Sequence, residues 1–129
     1  MQNSNLFDYI NVLDKAADAS WLRNNAIANN IANATTPGYK RQDVSFEKEL
    51  HRALGDSRYK TMDEKVSNIR TSQINPRVYT DAADYSYRMD GNNVDIDTEN
   101  VYLAENQIKY NALIDSINKD FKNLASVMK

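Results

Sequence analysis

No cysteine occurs anywhere in the 129 residues, which excludes disulfides and thiolate metal sites but leaves the compartment open, because an oxidising space tolerates cysteine-free chains. Only three glycines are present. A phosphate-cradling loop therefore cannot be assembled, and no serine has the glycine-flanked setting of a nucleophile elbow. His51 is the single histidine, and a general base or metal site would need partners that the sequence does not place beside it. A surface histidine on a short helix is the simpler reading, so no enzyme, cofactor or metal is expected. Charge of one sign is missing too: 16 basic residues face 18 acidic ones for a net of −2, with no block of either kind. That removes the electrostatic footprint of nucleic-acid binding, and Tyr39-Lys40-Arg41 reads as a solvated turn. No 18-residue apolar run exists, and Asp8, Asp14 and Asp18 interrupt the region where a secretion signal needs one. The expectation is a chain that neither spans a membrane nor carries a cleaved signal.

Strongly apolar residues are also scarce. Leucine, isoleucine, valine and phenylalanine total 27, thin for a self-contained core in one small domain and close to the boundary with disorder. Help from partners is expected. The 27 are distributed as 8 in residues 1–34, 10 in the 63 residues 35–97, and 9 in residues 98–129, so the ends are richer than the middle.

At the N-terminal end Leu6, Ile10, Leu13, Ala17, Ser20, Asn24, Ile27, Ile31 and Ala34 step by four and three residues, the 3.5-residue repeat of a supercoiling seam. Ser20 and Asn24 interrupt it with polar groups, which costs stability but can fix register between neighbouring helices. Thr36-Pro37-Gly38 then stops the helix, because proline cannot continue it and glycine accepts the turn. The pattern returns as Leu103, Gln107, Tyr110, Ile114, Ile117, Phe121, Leu124 and Met128. Asp97 is the expected N-cap of that helix, with Ile96 and Val101 as a hydrophobic staple and Glu99 favouring the positive end of the dipole. Lys119, Lys122 and Lys129 suit the opposite end.

Two helices over roughly residues 4–34 and 98–128 would each run about 45 Å. Paired antiparallel they share one seam and leave Phe7, Trp21, Leu22, Leu113 and Val127 partly exposed, as contacts for other subunits. Between them Val44 and Phe46 alternate with polar neighbours, FEKELHRAL forms a short helix, and Gly55 stops it. From Asp56 to Asn93 six acidic and six basic residues alternate with isolated tyrosines and no period emerges, so this stretch reads as a long adaptable connection. The run Asp90 to Glu99 has the look of a calcium loop, but a register from Asp90 puts Val94 and Asp95 where an oxygen ligand and glycine are required. A turn followed by a helix cap accounts for the same residues. The expected fold is mainly α: long terminal helices (1–34 and 98–129) paired as an antiparallel coiled-coil-like hairpin, around an irregular middle (35–97) with a short helix and room for short β elements.

Asn29 to Arg41, NNIANATTPGYKR, closely resembles the N-terminal signature of the axial proteins of the bacterial flagellum, the rod, hook and hook-associated proteins. The match rests on Asn30 and Asn33 with Ala32 between them, closed by Thr36-Pro37-Gly38-Tyr39. The short length, the opening LFDYINVLDKA and the run GNNVDIDTENVYLAENQIKY are similar to the proximal rod proteins of the FlgB type. The two matched regions cover about half the chain.

The resemblance implies an inner coiled-coil layer made from the two terminal helices, stacked helically into a hollow shaft that transmits torque and lets export substrates pass. It implies copies of the same chain, other rod proteins, membrane-ring and adaptor proteins and the flagellar type III export apparatus as partners, with no nucleic acid. It also implies a periplasmic place in the basal body, reached through that apparatus without a cleaved signal by a chain weakly folded when dilute. Subunit contacts are then expected at Leu6, Ile10, Leu13, Asn25, Ile27, Asn29, Asn30, Ile31 and Asn33, at Pro37, Gly38 and Tyr39, and at Tyr110, Ile114, Ile117, Phe121 and Leu124. Asparagine and alanine let crowded backbones approach and hydrogen-bond across. A sibling rod subunit, or a soluble helical binding module or export cofactor using the same amphipathic ends, are the alternatives.

Overall fold

The computed structural model describes residues 5–56, 58–81 and 88–128. Two long helices dominate it: α1, Asn5–Ala32, and α4, Ile96–Val127. Between them lie strand β1 (Gln42–Ser45), helix α2 (Glu47–Leu54), helix α3 (Met62–Ser67), a 3-10 turn at Thr71–Gln73 and strand β2 (Arg77–Thr80). The mainly α hairpin and the short helix at FEKELHRAL are as the sequence indicates, with Gly55 closing α2 at a φ of 69°. Lys129 and residues 57 and 82–87 of the expected connection lie outside the described residues.

The α1 seam follows the heptad reading closely. Ile10, Ala17, Ser20, Ile27 and Ala34 are buried, and Leu6, Leu13, Asn24 and Ile31 are half-buried. On α4 the seam shifts: Glu99 and Asn106 are its buried residues, with Leu103, Tyr110, Leu113, Ile114, Ile117 and Leu124 half-buried, while Gln107, Phe121 and Met128 are exposed. Glu99, Leu103, Asn106, Tyr110, Leu113 and Ile117 step by four and three as faithfully as the apolar pattern did. Apolarity misplaced the register because two of its positions carry polar side chains with partners on α1.

The start of α4 also differs from expectation. Asp95, not Asp97, is the N-cap, accepting from the Asp97 N–H at 3.1 Å and from the Thr98 hydroxyl at 2.8 Å. Asp95 stands one residue before the helix with extended backbone, where its carboxylate reaches the orphan donors of the first turn. The Ile96–Val101 staple falls with that correction, and both residues are exposed.

The middle segment is more ordered than its sequence indicates. β1 and β2 pair antiparallel, Gln42 opposite Thr80 and Val44 opposite Val78. α3 opens with a capping box in which Thr61 and Glu64 satisfy each other's backbone N–H groups, the reciprocal arrangement of S/T-x-x-E. Val44, Phe46 and Ile74 join Ala16, Ala19 and Ala26 of α1 in the core, with Leu22, Leu50, Ile69 and Leu113 packed against it. Small alanines on α1 let the β pair approach, and isolated apolar residues spaced along the connection fill the gap. Among the described residues no helix is long and apolar enough to cross a membrane.

Candidate functional site: a polar knot and an outward face

The signature residues converge where α1 ends, and they do so through hydrogen bonds within the chain. Asn30 is wholly buried. Its amide nitrogen donates to the Gln42 carbonyl at 2.8 Å and to Glu99 Oε2 at 3.1 Å. Its oxygen accepts from the Gln42 N–H at 2.8 Å and from the Tyr39 hydroxyl at 3.1 Å. One carboxamide thus uses both donors and both lone pairs, the full capacity of the group, to tie α1 to β1 and α4.

Glu99, 1% exposed, holds Arg41 on its other oxygen, with Arg41 Nε donating to Oε1 at 2.7 Å. Arg41 also bonds Asp81, and its guanidinium lies 5.4 Å from the centre of the Tyr102 ring. Burial pulls Arg41 down, but hydrogen bonds from Glu99 and Asp81 outweigh it and hold the guanidinium charged above its usual range. Burial beside Glu99 likewise raises the Tyr39 phenol, keeping it a donor.

A second buried carboxamide closes the turn. Asn92 Nδ2 donates to the carbonyls of Asn33, Ala34 and Thr36 at 2.8, 3.1 and 2.9 Å, the acceptors of the turn that follows α1. Its oxygen accepts from the Val94 N–H at 2.7 Å. Gly38 donates its N–H to the Asp90 carbonyl at 2.8 Å, and Gly38 and Gly91 approach each other with φ of 73° and 76°. The stretch that looked like a calcium loop therefore spends these groups on the end of α1 and the start of α4, and among the described residues no cluster of three metal-ligating side chains occurs.

A third tie lies further up the hairpin. Asn106 Nδ2 donates to the Ser20 carbonyl at 2.7 Å and to Asn24 Oδ1 at 2.8 Å, so the polar interruptions of α1 meet the polar position of α4. Beside them Arg23 clasps Glu47 through two bonds of 2.8 Å and donates to Asp43 at 3.1 Å, while Lys109 approaches the same Glu47. Hydrogen bonds from Arg23 first, then from Lys109, hold the Glu47 carboxyl far below its ordinary range despite partial burial.

The expected contact residues divide into two groups. Ile10, Ile27 and Asn30 are buried inside the chain, while Leu6, Leu13, Ile31, Asn33, Tyr39, Tyr110, Ile114, Ile117 and Leu124 are half-buried along the hairpin. Asn25, Asn29, Pro37, Gly38 and Phe121 are exposed. Of the apolar residues expected to face outward, Phe7, Trp21 (60%) and Val127 (81%) do, whereas Leu22 and Leu113 pack against the core. Val101 and Ile108 extend the exposed apolar surface along α4. The sequence reading missed Arg41, Asp81, Asn92 and the buried role of Glu99. Asn30 did carry a signal, standing three residues after Ile27 and four before Ala34, which is a seam position.

Residues 10–40 match the family described as "Flagella basal body rod protein". The chain is 36% identical over 117 residues to the flagellar basal body rod protein FlgB of Bacillus subtilis (strain 168), covering 90% of this chain and 89% of that protein. It is 31% identical to FlgB of Borrelia hermsii over 97% of this chain and 99% of that one. With FlgB of Escherichia coli (strain K12) the identity is 31%, over 83% of each.

Proposed function

The chain belongs to the flagellar basal body rod proteins of the FlgB type, and from that membership we infer that it is a structural subunit of the proximal rod of the flagellar basal body. The observation that carries the reading is relationship over nearly the whole chain to rod proteins. The hairpin agrees with it: after the two helices pair, Phe7, Trp21, Val101, Ile108 and Val127 still face outward. Many copies stack helically around a hollow channel, each offering two different surfaces, because heterologous contacts that repeat without closing make a tube. Such a shaft transmits torque through many shared interfaces, where a single small contact would slip, and lets export substrates pass along its axis.

Contact between subunits runs through the outward residues, Asn25, Asn29, Pro37, Gly38 and Phe121 among them. The half-buried seam residues Leu6, Leu13, Ile31, Asn33, Tyr39, Tyr110, Ile114, Ile117 and Leu124 support it, while Ile10, Ile27 and Asn30 act from inside by holding the hairpin in shape. Partners are copies of itself, other rod proteins, ring and adaptor proteins at the rod base, and the flagellar export apparatus, which passes the chain unfolded to the periplasmic side. Its work is mechanical and not catalytic.

An in-frame deletion in the source bacterium, scored by motility and by electron microscopy of isolated basal bodies, tests this. Cells that keep membrane rings but lack rod, hook and filament, restored by a plasmid copy, are the expected result. Complete flagella in the deletion strain would remove the reading.

A further inference from the structure

One face of α1 is left bare by both α4 and the middle segment, and it has the spacing of a seam. Every position reached from Phe7 by steps of four and three, as far as Ala32, is exposed, and that spacing is the one that brings a second helix alongside. The stripe carries charge of one sign: Asp14 and Asp18 stand in its middle and no cation lies on it. Among the described residues neither carboxylate has a hydrogen bond or ion pair.

α4 carries a comparable stripe on the side away from α1. From Val101, steps of three and four reach Ala125 through exposed positions only. Lys122 lies on this stripe and Lys119 beside it, both exposed and both without a partner among the described residues. The other described cations of the two helices are already engaged, Lys15 with Asn75, and Arg23 and Lys109 with Glu47. An unpaired acidic face on one helix and an unpaired basic face on the other are complementary, and a head-to-tail contact between identical chains uses two such different surfaces.

Copies stacked in one shaft share an orientation, so α1 of one copy meets α4 of the next antiparallel. Because both stripes step by three and four, they can be laid together with Asp14 facing Lys122 and Asp18 within reach of Lys119. The same register sets the Trp21 indole N–H against the Asp115 carboxylate, Asn25 against Asn111, and Ile108, 71% exposed, over the small Ala28. Donor thus meets acceptor and large meets small along the stripe. Sliding the helices by three residues puts Asp18 against Asp115, and by seven puts Asp14 there. Sliding by four the other way leaves Asp14 opposite Ser126. Within one chain the pairing does not arise: Asn106 meets Ser20 and Asn24, which leaves Asp14 and Lys122 about two helical turns out of level.

We propose that the Phe7–Ala32 face of α1 docks on the Val101–Ala125 face of α4 in a second copy of this chain, held in register by Asp14 on Lys122 and by the Asn25–Asn111 pair. The proposal rests on the rod reading and names the two surfaces of one of its heterologous contacts.

Absence of native cysteine makes the register readable. Asn25→Cys and Asn111→Cys versions with different tags are co-expressed in the deletion strain, and isolated basal bodies are mildly oxidised. The expected result is a disulfide-linked species containing both tags. It should be at least severalfold more abundant than from Asn25→Cys with Ala104→Cys, which the register sets about 10 Å out of level. Basal bodies that contain both tags but give no mixed species, or equal yields from the two pairs, overturn the contact and leave the rod reading intact. Complete basal bodies from which a tagged native chain is absent overturn the rod reading itself. Charge reversal gives an independent readout where a cysteine blocks assembly. Asp14→Lys and Lys122→Glu should each shrink the swarming zone, and the two in one chain should restore most of it, because both groups are exposed and unpaired within the hairpin. Single variants that swarm like the native strain, or a double variant no better than the singles, overturn the pairing.

Discussion

Arg41 donates through Nε to Glu99 at 2.7 Å, joining the chain just before β1 to the first turn of α4 across 58 residues of sequence. Because Glu99 is almost wholly buried and also accepts from Asn30, removing either partner leaves a charge or an amide without its mate. Loss of one member of a buried pair costs about 3–5 kcal/mol. Arg41→Ala should therefore weaken folding by roughly that amount, because it strands the buried Glu99 carboxylate, and Glu99→Ala by less, since the more exposed Arg41 keeps Asp81. The double variant should cost less than the sum of the two, as for groups in direct contact. Folding of the dilute chain can be titrated with trimethylamine N-oxide, which strengthens burial, and the midpoints read by circular dichroism. Strict additivity would show that the two side chains do not share one interaction.

How much of this was legible depends on what each residue advertises. Ile10, Ala17, Ile27 and Ala34 announce their burial because apolar side chains at steps of three and four have one plausible use. Glu99 and Asn106 occupy the same kind of position on α4 but are polar, so their burial depends on Asn30, Arg41, Ser20 and Asn24, which are distant in sequence. The same holds for β2: four residues, all exposed, are too short to show a period, and their pairing with β1 is decided by the three-dimensional path of the connection. The N-cap was displaced by two residues because Asp95 and Asp97 are chemically equivalent in sequence and differ only in backbone conformation.

The turn after α1 gives a prediction with a different physical origin. Gly38 has a φ of 73°, and a Cβ placed there would meet nothing within 4 Å. The cost of Gly38→Ala is therefore backbone strain alone, about 1–2 kcal/mol for an L-residue held in the left-handed region. Gly38→Asn should recover part of it, because asparagine tolerates that region better. If the alanine variant matches the native midpoint in the same titration, the left-handed turn is not retained in solution.

Glu47 sets the response to acid. Its carboxyl is held below the ordinary value of 4.5 by Arg23 and then Lys109, so the folded state binds this proton less readily than the unfolded chain. The stabilising contribution is fully present above about pH 4.5 and is lost as the pH falls through the lowered folded value. Its size is limited because the side chain is half exposed to solvent, where screening weakens an ion pair. Between pH 7 and pH 3, at fixed osmolyte, Glu47→Gln should start less helical than the native chain and lose helicity less steeply. The difference should shrink in high salt. Parallel curves for the two proteins would mean that Arg23 and Lys109 do not hold the carboxylate in solution.

Ile31 and Ile117 test the hairpin as a component of the shaft. Both are half-buried, one near the signature end of α1 and the other in the distal half of α4, so an aspartate at either place must lose water without gaining a cation. An uncompensated charge in such a setting costs several kcal/mol, more than a marginal hairpin can absorb. In the assembled state the burden is multiplied, since every copy carries the same charge at an equivalent place. Ile31→Asp and Ile117→Asp should each abolish swarming and leave basal bodies without a rod, with the chain still present in cell extracts by immunoblot. Trp21→Asp provides the contrast: Trp21 is exposed in the hairpin, so that variant should keep the osmolyte-induced helicity of the native chain yet still fail to assemble if the outward face is an interface. Motile Ile31→Asp and Ile117→Asp cells would exclude the seam from the shaft, and motile Trp21→Asp cells would remove that part of the outward face from it.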